Sequence, residues 1–239
     1  MLPRRSVPVA GRYVLLEEIG RGATGPVHRA RDLRARTYVA AKVLRGGDPD
    51  ALLGFVREQS HRIEHPHVLA PLGWADEDDI ALIAMELVVG GSLRDLVARQ
   101  GHLAQPVVAL LLGQLLDALT AVHAHGVVHG DVKPANLLVR AGVRPHLLLA
   151  DFGVATSARD PVQPAARGPV GTPAYLPPER LAGAAPHPVQ DVYAAGLVGR
   201  RLLAGSSPLL TLCDSMTRAD PERRPTAAEA LRRLRELTG

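Results

Sequence analysis

The order of apolar and polar positions divides this 239-residue chain into a strand-rich first third and a helix-rich remainder. Residues 12–19, 26–30 and 37–44 carry the β-branched and apolar content of strands, and 68–74 and 80–86 add two more, joined by the acidic turn Asp76-Glu77-Asp78-Asp79. Between them, Leu52, Leu53, Val56 and Ile63 give residues 50–64 a partial helical period. Gly90-Gly91 then loosens the chain, and Ser92 is placed to cap a helix. Residues 103–125 are apolar almost all round, with Pro106 in the first turn, as expected of a helix buried in a core. The short apolar runs 127–128, 137–139 and 147–150 read as buried strands or buried entries to polar loops. Residues 191–196 open a further buried helix, and 227–237 form the last one. Strands followed by helices indicate the α+β class.

Composition narrows the partners. The length suits one large domain or two lobes sharing a cleft. A hydrophobic content of 46% is ample for a core, but with 3% aromatic residues Leu, Val and Ala must fill it. The net charge of +4 is carried by scattered Arg, which gives no sign of a nucleic-acid patch and reads as a solvated surface. The one cysteine, Cys213, cannot form an internal disulfide and fits a reducing compartment. Residues 1–10 lack the apolar core of a secretion signal, and apolar runs such as 107–112 are interrupted well short of a membrane span. The expectation is a soluble, cytoplasmic protein with no membrane segment; composition leaves its oligomeric state open.

The chemistry concentrates in His129-Gly130-Asp131-Val132-Lys133-Pro134-Ala135-Asn136, a polar loop between two apolar runs. A carboxylate, an ammonium and an amide oxygen facing one cavity suit phosphoryl transfer. Asp131 would accept the proton of a hydroxyl, Lys133 would neutralise the moving phosphoryl group, and Asn136 would ligate Mg²⁺. The alternative is a hairpin-like loop with ordinary polar residues. Residue rarity favours the first reading. Of 28 basic residues only Lys42 and Lys133 are lysine, and Asn136 is the only asparagine. In a chain this rich in Arg, lysine persists where a compact point charge is required and the broad guanidinium fork does not fit. Upstream, Gly20-Arg21-Gly22-Ala23-Thr24-Gly25 lets backbone amides approach phosphates. A dinucleotide-binding turn shares that spacing, but here Pro26 and Val27 begin a second strand rather than a helix. Lys42 then lies inside Val39-Ala40-Ala41-Lys42, where the ordinary reading is a solvent-facing lysine and the functional one a phosphate ligand.

The glycine loop, the Val-Ala-Ala-Lys strand, His-Gly-Asp-Val-Lys-Pro-Ala-Asn and Asp151-Phe152-Gly153 come in the order of the protein-kinase set, and from about residue 12 to 237 the chain resembles a bacterial eukaryotic-like (Hanks-type) serine/threonine protein kinase. The resemblance implies a bilobal α+β fold: a tail at 1–11, an antiparallel N-lobe at 12–87 with one helix, and a mainly helical C-lobe at 92–237. It implies ATP and Mg²⁺ as cofactors, with Mn²⁺ able to substitute, and a protein Ser/Thr hydroxyl as acceptor. Asp131, Lys133, Lys42 and Thr172 are the catalytic residues it implies; Asn136 and Asp151 are the metal ligands. Nucleotide contacts fall to Gly20, Arg21, Gly22, Ala23, Thr24, Gly25 and Val27 in the loop. Ala40, Lys42, Met85, Glu86, Val88 and Leu138 complete them. Glu58 is the expected helix partner of Lys42, with Glu64 as fallback and an exposed helix charge as the ordinary reading. Asp191 is expected to brace the catalytic loop through its backbone amides, and Arg224 to pair with Glu179.

Two other functions remain in view. Gly130 gives the His-Gly-Asp form seen in small-molecule kinases of the aminoglycoside and choline type, and a non-catalytic pseudokinase would be a binding module. Lys42, Asp131, Asn136 and Asp151 are all present, and Lys133, Asp-Phe-Gly, 172–179 and Arg224 favour the protein kinase. Only 15 residues separate Gly205 from Pro221, room for one helix. Between Gly153 and Gly171 the only hydroxyls are Thr156 and Ser157, and Gly130 offers no side chain to receive a phosphate. Activity is therefore expected to be independent of phosphorylation in this segment. Phosphatase-treated protein and a Thr156→Ala/Ser157→Ala variant should both keep most of the phosphotransfer rate; loss of most of it in either, with ATP affinity kept, would refute this.

Overall fold

The computed structural model describes residues 7–22, 25–45, 63–157 and 171–239. Residues 50–62 of the predicted helix, with Glu58, the loop residues Ala23 and Thr24, and the segment 158–170 lie outside the described residues, and residues 63 and 64 are not helical. The chain divides into two compact units. The first takes in residues up to 62, 69–88 and 151–153, and the second 63–68, 89–150 and 154–239.

The first unit is built on a five-stranded antiparallel sheet in the order β1-β2-β3-β5-β4: β1 (Tyr13–Gly22), β2 (Gly25–Asp32), β3 (Thr37–Arg45), β4 (Pro71–Glu77) and β5 (Ile80–Glu86). The side-chain period of two sorts its residues onto two faces. Ala30, Val39, Ala41, Val43, Leu82 and Ala84 face one way and join Val9, Tyr13 and Ala75 in a buried cluster. The other face carries the intervening positions: Lys42 stands opposite Val27 and Ile83, and Ala40 opposite Met85. Val9 is 6% exposed and bridges Tyr13, so the ordered fold starts before residue 12. Asp32 ends β2 and accepts hydrogen bonds from the Arg12 guanidinium and from the Arg34 and Ala35 amides. The Arg12 contact, together with those amides, holds its carboxyl below the usual range against the opposing effect of burial.

The fourth strand begins at Pro71 rather than at residue 68, and it runs on through Asp76 and Glu77, leaving only Asp78 and Asp79 in the turn. Val68 instead makes a parallel bridge with Leu149 in the second unit. An edge strand tolerates both a proline at its start and charged residues at its end, because one side of its ladder faces no partner.

The second unit is helical. Helix α1 (Leu93–Gln100) starts on a capping box in which Ser92 and Asp95 exchange hydrogen bonds. Helix α2 (Gln105–Ala124) is the core element and packs against α4 (Pro188–Leu202), α6 (Ala227–Thr238) and β8 (His146–Leu149). By length and composition α2 suffices to cross a membrane, contrary to the expectation that every apolar run stops short. Its Leu111, Leu112, Leu115, Leu116 and Leu119 are buried against protein, however, and Gln114 exchanges hydrogen bonds with Pro145 O and the Leu147 amide, as in a core helix. Gly196 and Gly199 let α4 approach α5 (Pro208–Met216). A Cβ at 199 would lie 2.6 Å from Cys213 Sγ, and one at 196 would lie 2.9 Å from Met216 Cβ. As expected, α5 is the single helix between Gly205 and Pro221. Two short pairings complete the unit: β6 (Val127–Val128) with β9 (Thr156–Ser157), and β7 (Leu137–Arg140) with β8.

Arg224 pins the one-turn helix α3 (Pro178–Leu181) to the segment that follows α5. Its Nη1 and Nη2 donate to the two Glu179 oxygens at 2.6 and 2.8 Å, and Nε donates to Arg218 O at 2.7 Å. The arginine side chain is fully buried. Burial by itself would raise the Glu179 carboxyl; the Arg224 hydrogen bonds bring it below its ordinary value. Removing one member of such a pair leaves an uncompensated buried charge. Arg224→Ala should therefore cost about 3 kcal/mol in denaturant unfolding. Because the folded pKa of Glu179 is depressed, the pair's contribution is present above the ordinary carboxylate range and lost as pH falls through the folded value. A loss below ~1 kcal/mol in Arg224→Ala would contradict a buried pair.

Candidate active site

The octapeptide is held by its backbone. Asp191, in the first turn of α4, is 1% exposed. Its carboxylate accepts the amide of His129 (2.8 Å), the amide of Gly130 (2.8 Å) and His123 Nε2–H (2.9 Å). Burial pushes this carboxyl up, but the His123 hydrogen bond and charge, the nearby His129 and the Gly130 amide outweigh it and hold it below the usual range. The carboxylate thus stays ionised and fixes two consecutive peptide groups directly before Asp131. The His129 ring, fully buried, spans the loop from inside: Nε2–H donates to Ala150 O, and Nδ1 accepts the Asp131 amide.

Pro134–Asn136 then form a 3-10 turn that brings Asn136 back beneath Asp131. Asn136 Nδ2 donates to both Asp131 O (2.9 Å) and Asp131 Oδ2 (3.0 Å). With both donors spent, the Asn136 Oδ1 acceptor is the part left for a hard cation, the donor type Mg²⁺ selects. Lys133 Nζ lies 2.6 Å from Asp131 Oδ2 and 2.7 Å from Thr172 Oγ1. Thr172 closes the ring, donating to Asp131 Oδ1 through its amide (3.0 Å) and its hydroxyl (2.7 Å). Residues 41 positions apart in sequence therefore orient both oxygens of one carboxylate.

In the first unit, Lys42 Nζ donates to Asp151 Oδ1 at 2.6 Å. The lysine side chain is only 5% exposed, so the solvent-facing reading of Lys42 does not hold. Asp151 has φ +67, a backbone conformation that costs energy in a non-glycine residue and is stored preferentially at functional sites. Among the loop glycines, Gly25 is sterically required: a Cβ there would lie 2.2 Å from Val43 O. The Arg21 side chain is exposed and paired with Glu18, so only its backbone is available to a ligand. Val27, Ala40 and Met85 share the Lys42 face, and Glu86 ends β5. Val88 is half-buried just beyond β5, and Leu138 is half-buried on β7 of the second unit. Glu64 is exposed. Among the described residues no cluster of three or more acidic, His or Cys side chains has metal-binding geometry, and Glu77 accepts the Ala10 amide.

His123 and His129 are partners of this loop to which pattern reading assigned no role. A polar ring near the end of an otherwise apolar helix was the available signal for His123; its partner lies 68 residues away.

The family profile described as protein kinase domain matches residues 13–211. The chain belongs to the protein kinase domain family. Curated relatives of this kinase domain include the serine/threonine-protein kinase PkaA of Streptomyces coelicolor, 36% identical over 94% of this chain and 45% of the relative. PkaB of the same organism is 36% identical over 84% of the chain and 50% of the relative, and PrkC of Bacillus subtilis is 31% identical over 84% and 31%. The chain spans about half or less of the length of these relatives.

The Thr172 hydroxyl joins Asp131 to Lys133 in this kinase domain, so its removal should loosen both. Thr172→Ala should lower the phosphotransfer rate about tenfold, the ~1.4 kcal/mol of a hydrogen bond made to a charged group, while Thr172→Ser keeps most of the rate. Equal rates in wild type and Thr172→Ala, measured with saturating ATP, would remove Thr172 from the machinery.

Proposed function

We propose that the domain transfers the γ-phosphoryl group of ATP to Ser or Thr hydroxyls of protein substrates. The observation that carries this is Asp131, whose two carboxylate oxygens are oriented by Thr172, Lys133 and Asn136 while its backbone is fixed through Asp191. Asp131 takes the acceptor hydroxyl's proton. The hydroxyl oxygen bonds to the γ-phosphorus, the bond to the bridging oxygen breaks, and ADP leaves with the electron pair. Lys133, already beside Asp131, stabilises charge on the moving group. Lys42 and the amides of the glycine loop, with Gly25 free of a Cβ, hold the phosphates. Asn136 and Asp151 are the proposed ligands of Mg²⁺, which when bound neutralises phosphate charge. Met85, Glu86 and Val88, with Val27, Ala40 and Leu138, are the proposed adenine contacts. A reducing, cytoplasmic setting fits the lone buried thiol of Cys213.

The test compares ATP turnover with a basic protein, with aminoglycosides or choline, and with no acceptor. Phosphate should appear on protein Ser/Thr; transfer only to the small molecules would replace this reading with the small-molecule kinase, and no transfer at all with a binding module. Asp131→Asn should lower the rate by about 10³-fold with nearly unchanged ATP affinity, since Asp131 acts on the acceptor. Lys42→Arg should also fail although charge is preserved, because a guanidinium fork does not replace a buried ammonium. Near-wild-type rates in either variant would remove the assigned roles.

A further inference from the structure

Three imidazoles outside the catalytic loop gather in the second unit. His65 and His67 flank Pro66, and His146 opens β8. The ring centroids are 5.7 Å apart for His65–His67 and 4.5 Å apart for His67–His146. Among the described residues, each of their hydrogen bonds fixes whether the ring nitrogen that makes it carries a proton. His67 Nδ1 lies 3.0 Å from Leu147 O, and a carbonyl can only accept, so Nδ1 carries the proton. The same argument places the proton of His146 on Nε2, 2.8 Å from Pro66 O. His65 Nδ1 accepts the His67 amide at 3.1 Å, which leaves its proton on Nε2, facing Asp117 of α2 at 3.4 Å. The backbone is tied at the same place: the Leu149 amide donates to His67 O, and Val68 bridges Leu149. The next residue, Ala150, donates its amide to Asn136 O and accepts from His129. One strand therefore separates the histidine cluster from the catalytic loop.

We propose that His65, His67 and His146 form an acid-sensitive latch, which clasps residues 63–68 to β8 when the rings are neutral and loosens when they are protonated. A proton on His65 Nδ1 removes the acceptor of the His67 amide. Protons on both His67 Nε2 and His146 Nδ1 place like charges on rings 4.5 Å apart, one on each side of the clasp. Burial, opposed by the Leu147 carbonyl and by Asp117 but reinforced by His146 and His65, already holds His67 below its ordinary 6.5. With the folded value depressed, the unfolded chain takes up the proton first as pH falls. The latch's contribution to stability is therefore complete above 6.5 and lost below it, toward the folded value. The depressed carboxyls Asp32, Glu179 and Asp191 titrate below the ordinary carboxylate range and do not contribute to this window.

His67→Asn/His146→Gln keeps both donors without titrating: the Asn amide replaces Nδ1–H, and the Gln amide replaces Nε2–H. The single His146→Gln variant, at the more exposed ring, serves if the double variant folds poorly. Thermal unfolding and hydrogen exchange at the Leu149 amide, corrected for intrinsic pH dependence, are measured on the full chain at pH 7.5 and 5.5. Wild type should lose several degrees more than the variant on acidification, and its Leu149 amide should exchange severalfold faster at pH 5.5 than the variant's. Superimposable pH profiles for wild type and variant in both measurements would overturn the proposal. Neither readout requires phosphotransfer, so the outcome is independent of the proposed activity.

Discussion

A buried carboxylate with three donors organises the catalytic half of this molecule. Placing Asp191 in the interior is unfavourable unless its lone pairs are satisfied, and here two backbone amides and an imidazole satisfy them. Because the two amides are consecutive, the carboxylate holds two successive peptide planes rather than a single atom. Asp131 follows at once, so its side chain has little backbone freedom left to lose when Thr172, Lys133 and Asn136 engage it. Orientation of this carboxylate is then a property of the fold.

The sheet unit solves a different problem with the period of two. One face is closed by small and branched residues around Tyr13, so the opposite face can present a nearly buried lysine. A buried ammonium needs a counter-charge, and Asp151 provides one within the same unit. The positive φ at Asp151 shows that the carboxylate is delivered at some conformational cost.

Helix α2 shows how composition misleads when read alone. Its apolar length is that of a membrane span, yet each flank of the helix meets protein: α6 and α4 on its sides, β8 and Gln114's partners at its middle. The low aromatic content is met by leucine, and close approach at Gly196 and Gly199 takes the place of large side chains. In the sulfur chemistry, too, packing dominates: burial pushes the Cys213 thiol up to about 11, which keeps it an inert core group.

Local signals were strong enough to specify the five strands of the sheet, the Ser92 cap, the core helix and the last helix, because each rests on periodicity or on a short-range hydrogen bond. Lys42, Asp131, Asn136 and Asp151 could be proposed from motif order alone, and Lys42 and Asn136 also from the rarity of lysine and asparagine, before any fold was known. Asp191 and the Glu179–Arg224 pair were expected from family resemblance and found in place. The start of β4 at Pro71 was not legible: Val68 is as good a strand former as its neighbours, and only its pairing with Leu149 removes it from the sheet. His123 on Asp191, and His67 against His146, were equally hidden. Those contacts join residues 68 and 79 positions apart, and no local pattern constrains which polar groups meet when helices and strands pack. Hydrogen-bond partners over such distances are chosen by the need to satisfy buried donors and acceptors, and that need arises only once the chain has folded.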